Sequence, residues 1–208
     1  KTIKNNKVVI MAGGKGERLM PLTKDTPKPL LTIKDKPIIK YIIEAFLKNG
    51  FEDIIISVGY KSEKLIEYFE KDNSMSKYVT FIKEDKPLNT AGALSLIPKN
   101  KLTEPVIIKN GDIITNVNYN DLLNFHNTHD KPITVCASEY QVAIPFGSIT
   151  TKDGVISNIV EKPIIKHHVN AGIYIINPEI IKKIKKNTSI SMIELISDYI
   201  SSGNVVAY

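Results

Sequence analysis

The chain of 208 residues contains no tryptophan, a single cysteine (Cys136) and a single arginine (Arg18). One cysteine excludes an internal disulfide framework and any cysteine cluster for zinc. The longest apolar stretches, such as Ile54–Ile56 and Ile107–Ile108, fall far short of the ~18 residues that a membrane span needs, which predicts no membrane partner. The chain opens on Lys1, with no signal-peptide pattern. A cytoplasmic setting is the expectation, and the polar Lys1–Lys7 stretch reads as linker-like, as if the sequence were a piece of something longer. What is abundant is lysine, 27 of the 28 Lys and Arg residues, giving a net charge of +6. Acidic residues interrupt the basic ones everywhere and no basic arm forms, so the charge predicts small phosphorylated ligands and no nucleic acid. Against that background the one guanidinium marks a place where planar, bidentate contact with an anion matters.

Short β-branched runs alternate with helical patterns, the mark of an α/β fold. Strands are predicted at Val8–Met11, Asp53–Val58, Val79–Lys83 and Val106–Lys109. Helices are predicted over Ile38–Asn49 after Pro37, from Ser62 as cap to Phe69, and from Thr90 as cap to Ile97. The second half changes rhythm, with a helix over Asn120–Thr128 and strands at Thr134–Ser138, Phe146–Thr150, Val155–Val160 and Val169–Ile176. Helices from Asn177-Pro178 and over Ser191–Ser201 and a strand from Val205 follow. The expected architecture is a Rossmann-like, mostly parallel central sheet flanked by helices (three layers, α/β/α), with an additional mixed β region able to hold a second ligand. Open sheets of this kind bind at the carboxyl ends of their strands.

The loop after the first strand reads Ala12-Gly13-Gly14-Lys15-Gly16-Glu17-Arg18-Leu19, followed by Pro21 and by Pro27-Lys28-Pro29. Three glycines in four positions let backbone N–H groups converge on an anion, and Lys15, Arg18 and Lys28 can surround it. Taken alone, such a loop is more often a tight turn. It is no Walker loop, and the prolines forbid the helix that a dinucleotide fingerprint requires. A Rossmann oxidoreductase also needs an acidic residue about 20 positions past the glycines, and none stands there.

This loop, with Pro21-Leu22-Thr23 and Pro27-Lys28-Pro29-Leu30, resembles the signature of the sugar-1-phosphate nucleotidylyltransferases. The resemblance implies that residues 12–16 wrap a nucleoside triphosphate, with Arg18 and Lys28 on its phosphates. Glu17 departs from the threonine that many members carry. Glu84-Asp85-Lys86-Pro87-Leu88-Asn89-Thr90-Ala91-Gly92 resembles the base-recognition segment of mannose-1-phosphate guanylyltransferase-like members, with Asn89 in place of a glycine. A carboxylate at Glu84 accepts from guanine N1–H and N2–H₂ but would meet an acceptor at uracil or thymine O2 or O4, so GTP is favoured, with UTP or dTTP as the alternative. Asn89, Thr90 and Gly92 are implied to line the nucleotide. In Asn110-Gly111-Asp112 the resemblance implies that Asp112 holds Mg²⁺ beside Gly111, as suits a cation that takes one or two carboxylates plus phosphates and waters. A second metal aspartate comes in this family from a W-x-D-x-G-like segment, so the domain over 7–208 is expected to be truncated at its C-terminus.

The sugar side is implied by Phe146-Gly147, Glu161-Lys162-Pro163 and Asn170-Ala171-Gly172. Backbone groups at Gly147, with Glu161 and Asn170, would meet the sugar, and Lys162 its phosphate. The implied reaction transfers a nucleoside monophosphate from an NTP to a sugar 1-phosphate with release of pyrophosphate. A rival reading is a catalytically weak regulatory module that binds nucleotide sugars. Some relatives are fused to an upstream regulatory domain, and a homo-oligomer is an open expectation. His126, His129, His167 and His168 form no metal spacing and read as surface or packing residues, and Cys136 as buried and inert.

Overall fold

The computed structural model describes residues 2–14, 20–59, 61–72 and 74–208. At its centre is a seven-stranded sheet. In chain order its strands are β1 (Lys4–Met11), β4 (Phe51–Val58), β5 (Val79–Lys83), β6 (Val106–Asn110), β7 (Ile133–Ala143), β10 (Ile164–Ile176) and β11 (Val205–Ala207). Their spatial order is β11-β7-β10-β6-β1-β4-β5. Parallel pairing joins β6, β1, β4 and β5, whereas β10 runs antiparallel to both β6 and β7. Two small hairpins stand apart, β2 (Thr32–Ile33) with β3 (Lys36–Pro37) and β8 (Ser148–Lys152) with β9 (Val155–Val160).

The parallel strands read as unbroken apolar runs because helices cover both their faces. Ile10, Ile54 and Ile107 face one layer, which holds α1 (Ile38–Lys48), α2 (Ser62–Lys71) and α4 (Tyr119–His129). Val9, Ile55 and Ile108 face the other, which includes α5 (Pro178–Ile181) and α6 (Met192–Ile200). In α1 the buried residues Ile38, Ile39, Ile42, Ile43 and Phe46 recur at helical spacing, and Phe46 stacks on Tyr119 of α4 at 4.0 Å between ring centroids. Gly50 ends α1 at φ +93°, where a Cβ would lie 2.3 Å from the carbonyl oxygen of Thr2, so no other residue fits that reversal.

Several local expectations need correction. The linker-like stretch is part of the sheet: β1 begins at Lys4, Asn6 is buried and donates to the Pro105 carbonyl at 2.8 Å, and Lys7 pairs with Asp53. Polar residues at the end of a strand conceal it from a hydrophobicity reading. Ser62 is the first residue of α2, whose N-cap is Lys61 in the left-handed region, and its hydroxyl bonds the Glu63 carboxylate. Thr90 caps no helix of its own, for α3 (Asn89–Gly92) is followed directly by a 3₁₀ turn, Ala93–Leu96. Phe146 and Gly147 precede β8. The β7–β10 ribbon is also longer than expected, pairing Ala143 with Ile164 beyond the sheet. Cys136 is buried as expected. His126 is a packing residue, held at 2.7 Å by Thr134 and 2.8 Å by Asn177, and burial pushes its pKa down.

Candidate active site

From β1 the chain moves outward to β4 and β5, then returns to place β6 on the other side of β1. The carboxyl ends of β1 and β6 therefore flank a topological switch point, where open α/β sheets form a ligand crevice. Ala12 and Gly13 leave β1 there, and Gly111 N–H donates to the Met11 carbonyl at 2.9 Å, drawing the two strand ends together. A Cβ on Gly111 would stand 2.7 Å from that same carbonyl, so this glycine permits close packing of the strand ends. Among the described residues nothing lies within 4 Å of the Cβ position of Gly14, so none of them covers its backbone. Lys15, Gly16 and Arg18 lie outside the described residues.

Glu84 follows β5 and ties three strand ends into one unit. Its Oε1 accepts from the buried Ser57 hydroxyl at 2.8 Å, and its Oε2 accepts from the Leu88 N–H at 2.9 Å. A Cβ on Gly13 would lie 2.6 Å from the same Oε1, so the turn after β1 closes directly over this carboxylate. Each carboxylate oxygen accepts two hydrogen bonds, so Glu84 keeps capacity for a base while bracing the loop. The partnership with Ser57 has no signature in the sequence, since a serine inside an apolar strand usually reads as filler.

Asn89 occupies the position of the usual glycine with φ +61°. The left-handed region favours glycine, and asparagine is among the side chains that tolerate it best. The Asn89 amide donates to the Ser189 hydroxyl at 3.0 Å, and the Ala91 and Gly92 N–H groups both donate to the Ile190 carbonyl at 3.0 Å. Thr90 Oγ1 accepts from the Met192 N–H at 2.7 Å, satisfying an amide at the start of α6, a helix 102 residues away in sequence. Gly92 is a packing glycine: a Cβ there would lie 2.2 Å from the Thr188 carbonyl. The segment over 188–192 is thus a structural partner of the segment that resembles a base-recognition loop, and sequence reading missed it.

Asp112 ends the β6 turn and forms an ion pair with Lys28, which a short 3₁₀ turn, Lys28–Leu30, delivers after Pro27. Both side chains stay about one-third exposed. Beside them is a pocket of about 280 Å³ lined by Thr90, Asn110, Asn170, Gly172, Ser191 and Met192, among others. Asn170 is held at both ends of its amide, donating to the Tyr174 hydroxyl at 2.8 Å and accepting from Gly172 N–H at 2.8 Å. Gly172, at φ +68°, lies where a Cβ would strike Asn110 and Ile113 at 2.6 Å. Glu161 and Lys162 are exposed between β9 and β10. Glu161 closes on Gly147, where a Cβ would be 3.2 Å from its Oε2, and Lys162 takes φ +44° before Pro163. The crevice thus has one side formed by Gly13, Gly14, Lys28 and Asp112, and a polar pocket around Asn170.

The family model described as "Nucleotidyl transferase" matches residues 7–208. The chain belongs to this nucleotidyl transferase family. Among curated relatives, the mannose-1-phosphate guanylyltransferase catalytic subunit beta of Drosophila pseudoobscura pseudoobscura is 34% identical over 191 residues, 88% of this chain and 52% of that protein. The chain spans about half the length of the curated relatives it matches. A crystal structure of HddC from Yersinia pseudotuberculosis complexed with GMP-PN superposes with a TM-score of 0.74 at 29% identity, covering 98% of this chain and 89% of that one. A putative glucose-1-phosphate thymidylyltransferase from Bacillus anthracis shares the fold, with a TM-score of 0.75 at 22% identity over 97% and 85% of the two chains. The α/β fold with its mostly parallel sheet is that of nucleotidyl transferases.

Sugar nucleotidyl transferases generally use a divalent metal, and the donor set is compatible with one. Among the described residues no group of three or more His, Cys, Asp or Glu side chains gathers, and the Asp112 carboxylate stands at the end of β6, paired with Lys28. One carboxylate completed by substrate phosphates and waters is a pattern that suits Mg²⁺. Among the described residues no helix is long and apolar enough to cross a membrane.

Proposed function

We propose that this nucleotidyl transferase chain is the catalytic part of a sugar-1-phosphate guanylyltransferase. It takes GTP and a hexose or heptose 1-phosphate, transfers GMP, and releases pyrophosphate. The observation that carries this reading is the convergence of Gly13–Gly14, the Glu84 brace and the Lys28–Asp112 pair at one switch point of the sheet. The names of the curated relatives support guanylyl transfer, and such an enzyme draws on nucleotide pools in the cytoplasm.

In this reading a phosphate oxygen of the sugar 1-phosphate attacks the α-phosphorus in line, and the O–P bond to the β-phosphate breaks as pyrophosphate departs. No protein nucleophile is involved, so the chain's contribution is positioning and charge. The backbone at Gly14 admits the triphosphate, and the sequence resemblance assigns Lys15 and Arg18 to its phosphates. Lys28 would leave Asp112 for the phosphates, and Asp112 would then be the residue to hold Mg²⁺. When bound, a divalent cation supplies neutralisation of phosphate charge. Glu84 reads guanine with the acceptor capacity that Ser57 and Leu88 leave free, and Asn170, Gly147 and Glu161 meet the sugar. Lys162 takes its phosphate.

The test is a pyrophosphate-release screen of four NTPs against a panel of sugar 1-phosphates that includes mannose 1-phosphate, with Mg²⁺. The expected maximum is with GTP. A preference for UTP or dTTP would overturn the base assignment. Nucleotide-sugar binding with no release would favour the regulatory module.

A further inference from the structure

Lysine is almost never fully buried unless it is paired. Lys109 is 1% exposed, and its Nζ has no hydrogen-bond partner among the described residues. It lies on β6 between Ile10 of β1 and Ile173 of β10, and strand alternation puts it on the face of Ile107, toward the layer of Phe46, Tyr119 and Cys136. The groups that act on it electrostatically are the Cys136 thiol and the Asp112 carboxylate. Burial pushes its pKa down to about 8, so at neutral pH it is still mainly an ammonium. A leucine or methionine would fill this place without stranding a charge, and a bare buried ion opposes folding.

Its position suggests what offsets that opposition. Lys109 stands three residues before Asp112, directly beneath the strand end that faces the Gly13–Gly14 turn. Asp112, the nearest carboxylate to act on Lys109, is also paired with Lys28, so two cations share one carboxylate and a net positive charge stays at this strand end. Inside a low-dielectric core such a charge acts over several residues, and no water needs to reorganise for it to do so.

We propose that Lys109 is an electrostatic positioning residue for polyanionic ligands, a fixed buried charge under the Asn110–Asp112 strand end that draws phosphate groups to the carboxyl edge of the sheet. The inference rests on the nucleotidyl-transfer reading above and adds to it a residue that touches neither nucleotide nor sugar.

The test is a charge series. Binding of guanosine, GMP and GTP is measured by calorimetry on the wild-type chain, K109M and K109Q, with thermal melting of each. Both variants are expected to melt higher than wild type. Guanosine affinity should stay within about twofold, while GTP should weaken roughly tenfold, as a unit charge some 10 Å from a phosphate would give at an effective dielectric near 20, with GMP in between. Equal losses across the three ligands, or none, would overturn the proposal, because a purely structural role does not scale with ligand charge. So would failure of both neutral variants to fold, since the ammonium would then serve the fold itself. If wild type binds no guanine nucleotide at all, the functional reading fails. If wild type binds GTP and both variants match it, only the role of Lys109 fails.

Discussion

The ammonium of Lys28 rests on the carboxylate of Asp112, joining the turn after Pro27 to the end of β6 across 84 residues of sequence. In the proposed mechanism each of these groups has another partner, phosphate for Lys28 and a divalent cation for Asp112. The pair is therefore a resting arrangement that metal-bound nucleotide exchanges for two separate interactions. Lys28→Ala should reduce kcat/KM for GTP by about 10- to 100-fold, the scale of removing one charge-assisted hydrogen bond inside a crevice. It should not raise the Mg²⁺ concentration needed for half-maximal rate, because Asp112 is then freed. Asp112→Asn should raise that concentration steeply. Metal titrations of both variants check the exchange, and a higher metal requirement in the Lys28 variant would refute it.

Glu84 predicts a second pattern. Its carboxylate is held by Ser57 and Leu88, so its effects on base choice and on loop order are linked. Ser57→Ala removes a donor without touching a ligand. It should lower kcat/KM for GTP several-fold and narrow the preference for GTP over UTP in the same direction as Glu84→Gln, which changes the acceptor itself. Competition between the two nucleotides in one reaction measures this. An unchanged preference in both variants would show that the base is read elsewhere.

Two glycines of the motifs should separate cleanly. Gly92→Ala forces a methyl group to 2.2 Å from the Thr188 carbonyl, a backbone atom that cannot swing aside, and should destabilise the protein by about 1–3 kcal/mol. Gly14→Ala meets no atom among the described residues and should leave the melting temperature unchanged while raising the KM for GTP. Thermal melts alongside steady-state kinetics distinguish the two.

Lys109 makes stability depend on alkaline pH in a definite direction. Its pKa is about 8 in the fold against 10.5 for an unperturbed lysine, so between those values the unfolded chain carries more protons at this site than the native one. Stability must then rise with pH across that window, by up to about 3 kcal/mol from this group. The penalty is complete below pH 8. Chemical denaturation of wild type and K109M should therefore differ most near pH 7 and converge by about pH 10.5, and a constant difference would contradict the burial of a charged group.

Much of this architecture was legible because the parallel strands are short β-branched runs with few polar interruptions, and Val79–Lys83 and Val155–Val160 end where the sequence says they should. The loops after β1 and β6 that the sequence singles out meet at the switch point of the sheet. What was illegible depends on partners remote in sequence. Lys4–Lys7 became a strand because Phe51 and Asp53 lie beside it. Thr90 looks like a local cap, yet its hydroxyl serves Met192, and no window of sequence contains both. Likewise, Gly92 reads as a loop residue until the Thr188 carbonyl arrives above it. Asn89 takes the left-handed conformation that glycine tolerates best, which the residue type alone does not reveal.

The hydrogen bonds from residues 88–92 to residues 188–192 have an implication for how this enzyme can change. In the proposed function the wall assigned to the purine and the wall of the neighbouring polar pocket share one rigid stitch, so neither can be remodelled in isolation. Substitutions selected to admit a bulkier or differently hydroxylated acceptor at Ser191 or Met192 would tug on Asn89 and Thr90, and donor fidelity should drift along with acceptor range.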